Sequence, residues 1–304
     1  TICSHPQLGI ARTNSFSQSE GSSLQFLQMI YTNKAVLVHD LGDGVFHVQL
    51  NNPKQLNAMN QTFWDEFPDV FTKLDVDPNC RAIVLSGNGR AFCSGIDLKT
   101  LSSSIPMDVE MDTARRSRHM LRWLESVQKS VTLVEKCCKP VIAAIHGFCL
   151  GAGVDLIAAC DIRYCSKEVE FCVKEVAVGL AADLGSLNRL PKMVGNEGWL
   201  RELCYTARKF GLQEALEHGL VSRICDSPEA VVAAAKETAK AIAASSPVAV
   251  QGTKLVLNYS RDHTVDESLH YVALWNASQL QTDDVAASAV AVLTKGPKPA
   301  YAKL

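Results

Sequence analysis

The sequence predicts an α/β fold, and three observations predict it. Short apolar runs bounded by glycine recur through the first two-thirds of the chain. Longer stretches with helical spacing separate them, and the chain beyond residue 196 carries helical spacing alone.

The elements follow in order. Val36 to Leu50 reads as a hairpin, with alternating apolar residues on both sides of the Gly42-Asp43-Gly44 turn. Asn51-Asn52-Pro53 ends it, and Asn60 is placed to cap a helix running to Leu74, with Phe63, Phe67, Val70, Phe71 and Leu74 on one side. Pro68 inside that helix predicts a kink. Ala82 to Ser86 and Val141 to Ile145 read as buried strands, each followed by glycines. Ile162 to Cys165 and Glu170 to Val173 are two more short strands. Helices are expected at Trp199 to Thr206, Gln213 to His218, Ala230 to Ala244 and Pro247 to Tyr259, with a last amphipathic one from Val265 to Leu280. The expected organisation is a tail or leader over residues 1–33, a mixed α/β core over 34–195, an all-helical region over 196–295, and a short terminal tail over 296–304.

Composition excludes several classes. The chain has 304 residues with 47% hydrophobic and 20% charged, enough apolar matter for a large core. Its formal net charge is -2 and no Lys/Arg block occurs, so nucleic acid is not expected as a partner. No run of about 18 apolar residues occurs, so no membrane span is expected. The 11 cysteines include no C-x-x-C pair, and they read as buried thiols of a reducing compartment, with no metal site. The final Ala302-Lys303-Leu304 resembles a Ser-Lys-Leu type peroxisomal address, implying an import receptor as a partner.

Three segments carry candidate chemistry. Phe92-Cys93-Ser94-Gly95-Ile96-Asp97-Leu98 follows a buried strand and puts glycine where the backbone must turn. His146-Gly147-Phe148-Cys149-Leu150-Gly151-Ala152-Gly153-Val154-Asp155 exposes main-chain N–H groups at a helix start, yet fits neither the Walker loop nor G-x-G-x-x-G. The third, Val173 to Asp183, sets Glu175 and Asp183 among aliphatic residues. Any one of these is also explained blandly, as a turn, a helix-start charge or a surface pair. Three carboxylates in apolar surroundings, Asp155, Glu175 and Asp183, suit proton exchange with carbon, because burial raises carboxyl pKa values.

Taken together, Asn57-Ala58-Met59-Asn60, Phe92 to Leu98, Gly147 to Asp155 and Arg189-Leu190-Pro191 resemble the crotonase, or enoyl-CoA hydratase/isomerase, superfamily over roughly residues 36 to 295. Within it, Gly153-Val154-Asp155-Leu156, Ala159 to Cys165, Lys174-Glu175-Val176, Gly179 to Asp183 and Ser260-Arg261-Asp262-His263 are similar to the Δ3,5-Δ2,4-dienoyl-CoA isomerase branch. The resemblance implies a crotonase-like spiral of repeated ββα units, with a C-terminal helical region that completes the site and mediates trimerisation, often as paired trimers in a hexamer. It implies a fatty acyl-CoA substrate and no cofactor beyond the coenzyme A of that substrate. The amides of Ile96 and Ala152 match the pair that holds the thioester oxygen, with alanine standing where many relatives have glycine.

Glu175 matches the acid working at C2, Asp183 the second acid at C6, and Asp155 a supporting third. Ala177 stands where some members of the branch carry another acid. Lys54, Asn57, Ala58 and the stretch Ser94, Gly95, Ile96, Asp97, Leu98 match the region that embraces coenzyme A, and Lys99 is placed to meet a phosphate. The implied compartment is the peroxisome, with the mitochondrion as a second site. Two other reactions use similar residues. A hydratase would hold one water between Asp155 and Glu175, and a Δ3-Δ2-enoyl-CoA isomerase would need a single base. A non-catalytic scaffold predicts lost acids, which this sequence retains.

Overall fold

A computed structural model of the chain describes residues 28–29, 33–104 and 111–304. Strands β1 (Gln28–Met29), β2 (Val36–Asp40) and β3 (Val45–Leu50) open the chain as antiparallel neighbours. The Gly42 to Gly44 turn between β2 and β3 runs at positive φ throughout, including Asp43. Helix α1 (Gln61–Val76) starts where the Asn60 side chain accepts from the Phe63 amide, and it continues through Pro68. Its five buried residues are the five predicted from spacing.

Strand β4 (Ala82–Gly87) follows, then α2 (Leu98–Ser104) and α3 (Thr113–Lys136), β5 (Val141–Ile145), β6 (Phe148–Leu150), α4 (Ala152–Ala158), β7 (Ile162–Ser166) and β8 (Glu170–Cys172). With β9 (Phe210–Gly211) and β10 (Arg223–Cys225) from further along the chain, one large sheet takes the order β1-β2-β3-β4-β5-β7-β10, parallel from β3 onward, and a small sheet takes β6-β8-β9. After β5 and again after β7, the chain crosses from the large sheet to the small one. The bridge Cys93↔Cys149 ties an earlier turn to β6, and the bridge Met59↔Ile96 joins that turn to the one before it. This alternation is the repeated ββα unit that the resemblance implied.

Both faces of the large sheet are covered, which is why its strands read as unbroken apolar runs. Ile83, Leu85, Val141, Ala143 and Ile145 face the main core, while Ala82, Val84, Ile142 and Ala144 meet Val231, Ala235, Ala239 and Ala243. Those four residues recur every fourth position, as one stripe of a helix requires.

That helix lies in the C-terminal part, where one was expected over Ala230 to Ala244. Beyond residue 196 come α5's successors: α5 itself (Ser186–Arg189) ends the core, then α6 (Glu197–Thr206), β9 (Phe210–Gly211), α7 (Leu212–Glu217), β10 (Arg223–Cys225), α8 (Pro228–Ala243), α9 (Pro247–Ser260), α10 (Val265–Gln279) and α11 (Asp283–Thr294). The region is therefore not all-helical, since β9 and β10 complete the two sheets. Nor is the helix ending near Leu280 the last, because α11 follows it. The 24-residue α3 was not expected either; its buried residues are confined to Val127, Ser130, Val131 and Val134 near its end.

A buried ion pair ties α9 to the core. Lys254 Nζ meets Asp161 Oδ2 at 2.7 Å and donates to the carbonyls of Val134 and Lys139. Of the expected 1–33 tail, only Gln28, Met29 and Asn33 fall within the described residues, and Gln28–Met29 pair with β2. Among the described residues, no helix is long and apolar enough to cross a membrane.

Candidate active site

Two glycine turns bring two amides together. Gly95 sits at φ +98°, and a Cβ there would lie 3.0 Å from the Leu150 carbonyl oxygen and 3.6 Å from the Ala152 nitrogen. The Met59 amide donates to Gly95 O (2.8 Å) and the Asp97 amide to Met59 O (3.1 Å). Those two bonds flank Ile96, so its own N–H points to the other side, as successive amides in an extended strand must. Gly151, at φ +50°, precedes the first residue of α4, where helix amides have no intrahelical acceptor. Among the described residues, neither the Ile96 nor the Ala152 amide has an acceptor. Two free donors converge at one place, aided by the positive end of α4.

They open onto a cavity of about 420 Å³. Leu98, Met120, Trp123, Leu124, Val178 and Leu180 supply most of its apolar wall. Ser94, Gly95, Ile96, Leu98 and Ala152 line it, as do Glu175 and Asp183. Lys54, Asn57, Ala58, Asp97 and Lys99 are not among its lining residues. The Asn57 side chain is spent within the loops: it accepts from the Asn52 amide and donates to the carbonyls of Asn88 and Ala91. Asp97 Oδ1 accepts from the amides of Lys99 and Thr100 at the start of α2. Lys54 and Lys99 are exposed.

The three acids have different surroundings. Glu175 begins a 3₁₀ turn (Glu175–Val178), and its Oε1 lies 3.3 Å from where a Cβ on Gly151 would be. Asp155 is 1% exposed and stands behind Glu175, outside the cavity lining. Its Oδ1 accepts from the Ser186 amide at 2.6 Å. Its Oδ2 and Glu175 Oε2 are both buried without another partner, and the two carboxyl groups are within hydrogen-bonding reach of one another. One proton between them satisfies both oxygens. Burial, and then the Asp155 charge, push Glu175 up to about 7. Burial raises Asp155 as well, while the Ser186 amide offsets part of that rise. Asp183 is raised by partial burial. Its backbone is held by Gln128, whose Nε2 donates to Asp183 O at 2.8 Å.

Sequence reasoning missed Met120, Trp123, Leu124 and Gln128, all on α3. The first three recur at helical spacing, a signal that was present. Gln128 carries none. Ala302, Lys303 and Leu304 are not among the lining residues; Arg81 donates to the carbonyls of Tyr301 and Ala302, and Lys303 donates to Asn79. Among the described residues, no cluster of three or more His, Cys, Asp or Glu is arranged to hold a metal ion.

The arrangement can hold a carbonyl oxygen on two amides, with one acid beside the amides and a second further along an apolar cavity. The family model described as enoyl-CoA hydratase/isomerase matches residues 40–299. The mitochondrial Delta(3,5)-Delta(2,4)-dienoyl-CoA isomerase of Rattus norvegicus is 53% identical over 251 residues, covering 83% of this chain and 77% of the relative. The peroxisomal Delta(3,5)-Delta(2,4)-dienoyl-CoA isomerase of Arabidopsis thaliana is 44% identical over 275 residues, covering 90% and 98%. The crystal structure of enoyl-CoA hydratase from Bacillus anthracis superposes with a TM-score of 0.79 at 27% identity, covering 88% of this chain and 99% of that one.

Proposed function

The chain belongs to the enoyl-CoA hydratase/isomerase family, and from that premise we propose that it is an isomerase converting 3,5-dienoyl-CoA thioesters to 2,4-dienoyl-CoA. The observation that carries this is the pair of acids, Glu175 and Asp183, lining one apolar cavity. Moving a 3,5-diene into conjugation with the thioester removes a proton at C2 and adds one at C6. One short carboxylate does not span those carbons, so two acids suit the task.

In this mechanism the amides of Ile96 and Ala152 hold the thioester oxygen. Glu175 takes the C2 proton, because its Oε1 lies against Gly151, next to the Ala152 amide. The electron pair spreads through the diene onto the oxygen, where the two amides stabilise it. Asp183 then delivers a proton to C6. The Asp155 charge raises the Glu175 pKa and so tunes the base. Electrons only shift along the conjugated system, so the reaction needs no metal, flavin or nicotinamide.

Hydration is less well supported. Asp155 is screened from the cavity by Glu175, so it is badly sited to hold a water with it. The relatives named above are mitochondrial in the rat and peroxisomal in Arabidopsis, and both compartments are compatible with this chain. Within that pair the peroxisome is the proposed site, as for the Arabidopsis relative, with an import receptor as partner. Assembly into trimers or hexamers is supported by apolar residues exposed on α9 to α11, among them Leu257, Leu269, Leu274, Val290 and Leu293.

The test is an ultraviolet assay on the purified protein. With a 3,5-dienoyl-CoA, the absorbance of the conjugated 2,4-dienoyl thioester is expected to grow. Faster hydration of a 2-enoyl-CoA than isomerisation of the diene would overturn the proposal.

A further inference from the structure

A second cavity, also about 420 Å³, lies on the other side of Asp183. Asp183 and Leu184 line both spaces. The front one is largely apolar. The rear one is walled by Glu135, Asn188, Arg189, Lys192, Arg261 and Asp262. Its cations are already engaged: Arg189 (2.9 Å) and Arg261 (2.7 Å) both meet Glu135, and Lys192 pairs with Asp262. The space between them is roomy and polar, and such a space suits water.

The partition between the cavities is thin and fixed. Gln128 holds the Asp183 carbonyl at 2.8 Å, and Arg189 Nη1 holds the Leu184 carbonyl at 3.3 Å. Gly185, at φ +123°, lies so close to the Arg189 guanidinium that a Cβ would meet Nη1 at 1.8 Å. Asp183 is the one titratable residue common to both linings. Glu175 has no such second face, since its back is closed by Asp155.

A two-acid isomerisation leaves Glu175 one proton richer and Asp183 one poorer. While acyl-CoA fills the front cavity, water cannot reach Asp183 from that side. We propose that the rear cavity is the proton entry of Asp183, returning its proton while the front is occupied. This rests on the isomerase reading above. The Glu175 carboxylate takes the C2 proton, and the C–H electron pair moves onto the thioester oxygen. The pair returns as the Asp183 carboxyl gives its proton to C6. The Asp183 carboxylate then takes a proton from hydronium in the rear cavity, and Glu175 releases its own to solvent on the front side. One substrate proton is lost, one solvent proton is gained, and no electrons are exchanged.

Asn188 is exposed on the rear wall and outside the front lining, so it offers a plug. In Asn188→Trp, kcat with saturating 3,5-dienoyl-CoA should fall about tenfold or more, the scale of an impaired general acid. Its kcat/KM and melting temperature should hold, because at low substrate Asp183 refills through the empty front. Asn188→Ala should keep both constants. In heavy water the wild-type product should carry deuterium at C6, read by mass spectrometry and NMR. That last measurement can still contradict the inference if the tryptophan variant does not fold. An unchanged kcat in a folded Asn188→Trp overturns the inference, as does a product without deuterium at C6. A loss that grows with acyl chain length also overturns it, making the space an acyl subsite. Absence of turnover by the wild type would instead sink the isomerase reading itself, and this inference with it.

Discussion

The two halves of the site are built differently. The amide half is main chain fastened to the core: the Cys93 amide donates to Phe148 O, the Leu150 amide to Cys93 O, and Met59, Cys93, Cys149 and Leu156 behind it are fully buried. The acid half is side chain on an irregular surface segment, with Val176 45% and Val178 50% exposed between the two acids. Few bonds hold it, chiefly Gln128 to the Asp183 carbonyl and the Ser186 amide to Asp155. Charge stabilisation is thereby made insensitive to most substitutions. The choice of reaction is left to a segment that can change without disturbing the core.

Substitutions on the two sides should break this contrast unequally. Glu175→Gln is expected to have the largest effect, lowering isomerisation roughly 10²–10⁴-fold in absorbance assays, the usual weight of a positioned acid or base. Its melting temperature should not fall, because the amide can donate to the unpartnered Asp155 Oδ2. A loss of stability matching the loss of rate would contradict this.

On the amide side, Ala152→Pro replaces one donor N–H by a ring Cδ while keeping the helix start, since proline suits the first position of a helix. The expected cost is about 10²–10³ in kcat, with an unchanged circular dichroism melt. Wild-type kcat in that variant would remove Ala152 from the oxyanion pair.

The smallest effect concerns pH. Exchange of the C2 proton with heavy water needs Glu175 alone, in its ionised form. Exchange should therefore rise with pH through about 7. Asp155→Asn removes a neighbouring negative charge that raises Glu175, so the midpoint should move to lower pH. A midpoint that stays put or rises would refute Asp155 as the charge that tunes Glu175.

The sequence was legible where burial leaves a periodic trace. The β2–β3 hairpin, the Asn60 cap and the β4 and β5 runs stood out because alternation or two-sided burial dictates their residues. The long α3 did not, since apolar residues are buried only near its end and its first half carries Arg115, Arg116, Arg118 and Arg122. Strands β9 and β10 have two and three residues, too few to alternate visibly. For α11 the run of alanine and valine has no polar face to set its period.

The site was legible in its acids and glycines but not in its depth. Nothing in the chain spacing distinguishes Asp155, sealed behind Glu175, from Asp183, which faces the cavity. Nor does spacing tell an asparagine that staples loops, as Asn57 does, from one that meets a ligand.

The most direct test of the divided proton transfer uses Asp183→Asn with a 3,5-dienoyl-CoA in heavy water. Deuterium uptake at C2 and diene absorbance would be followed together. The account predicts C2 exchange close to the wild-type rate with almost no conjugated diene. Conjugated diene formed at the wild-type rate would contradict it.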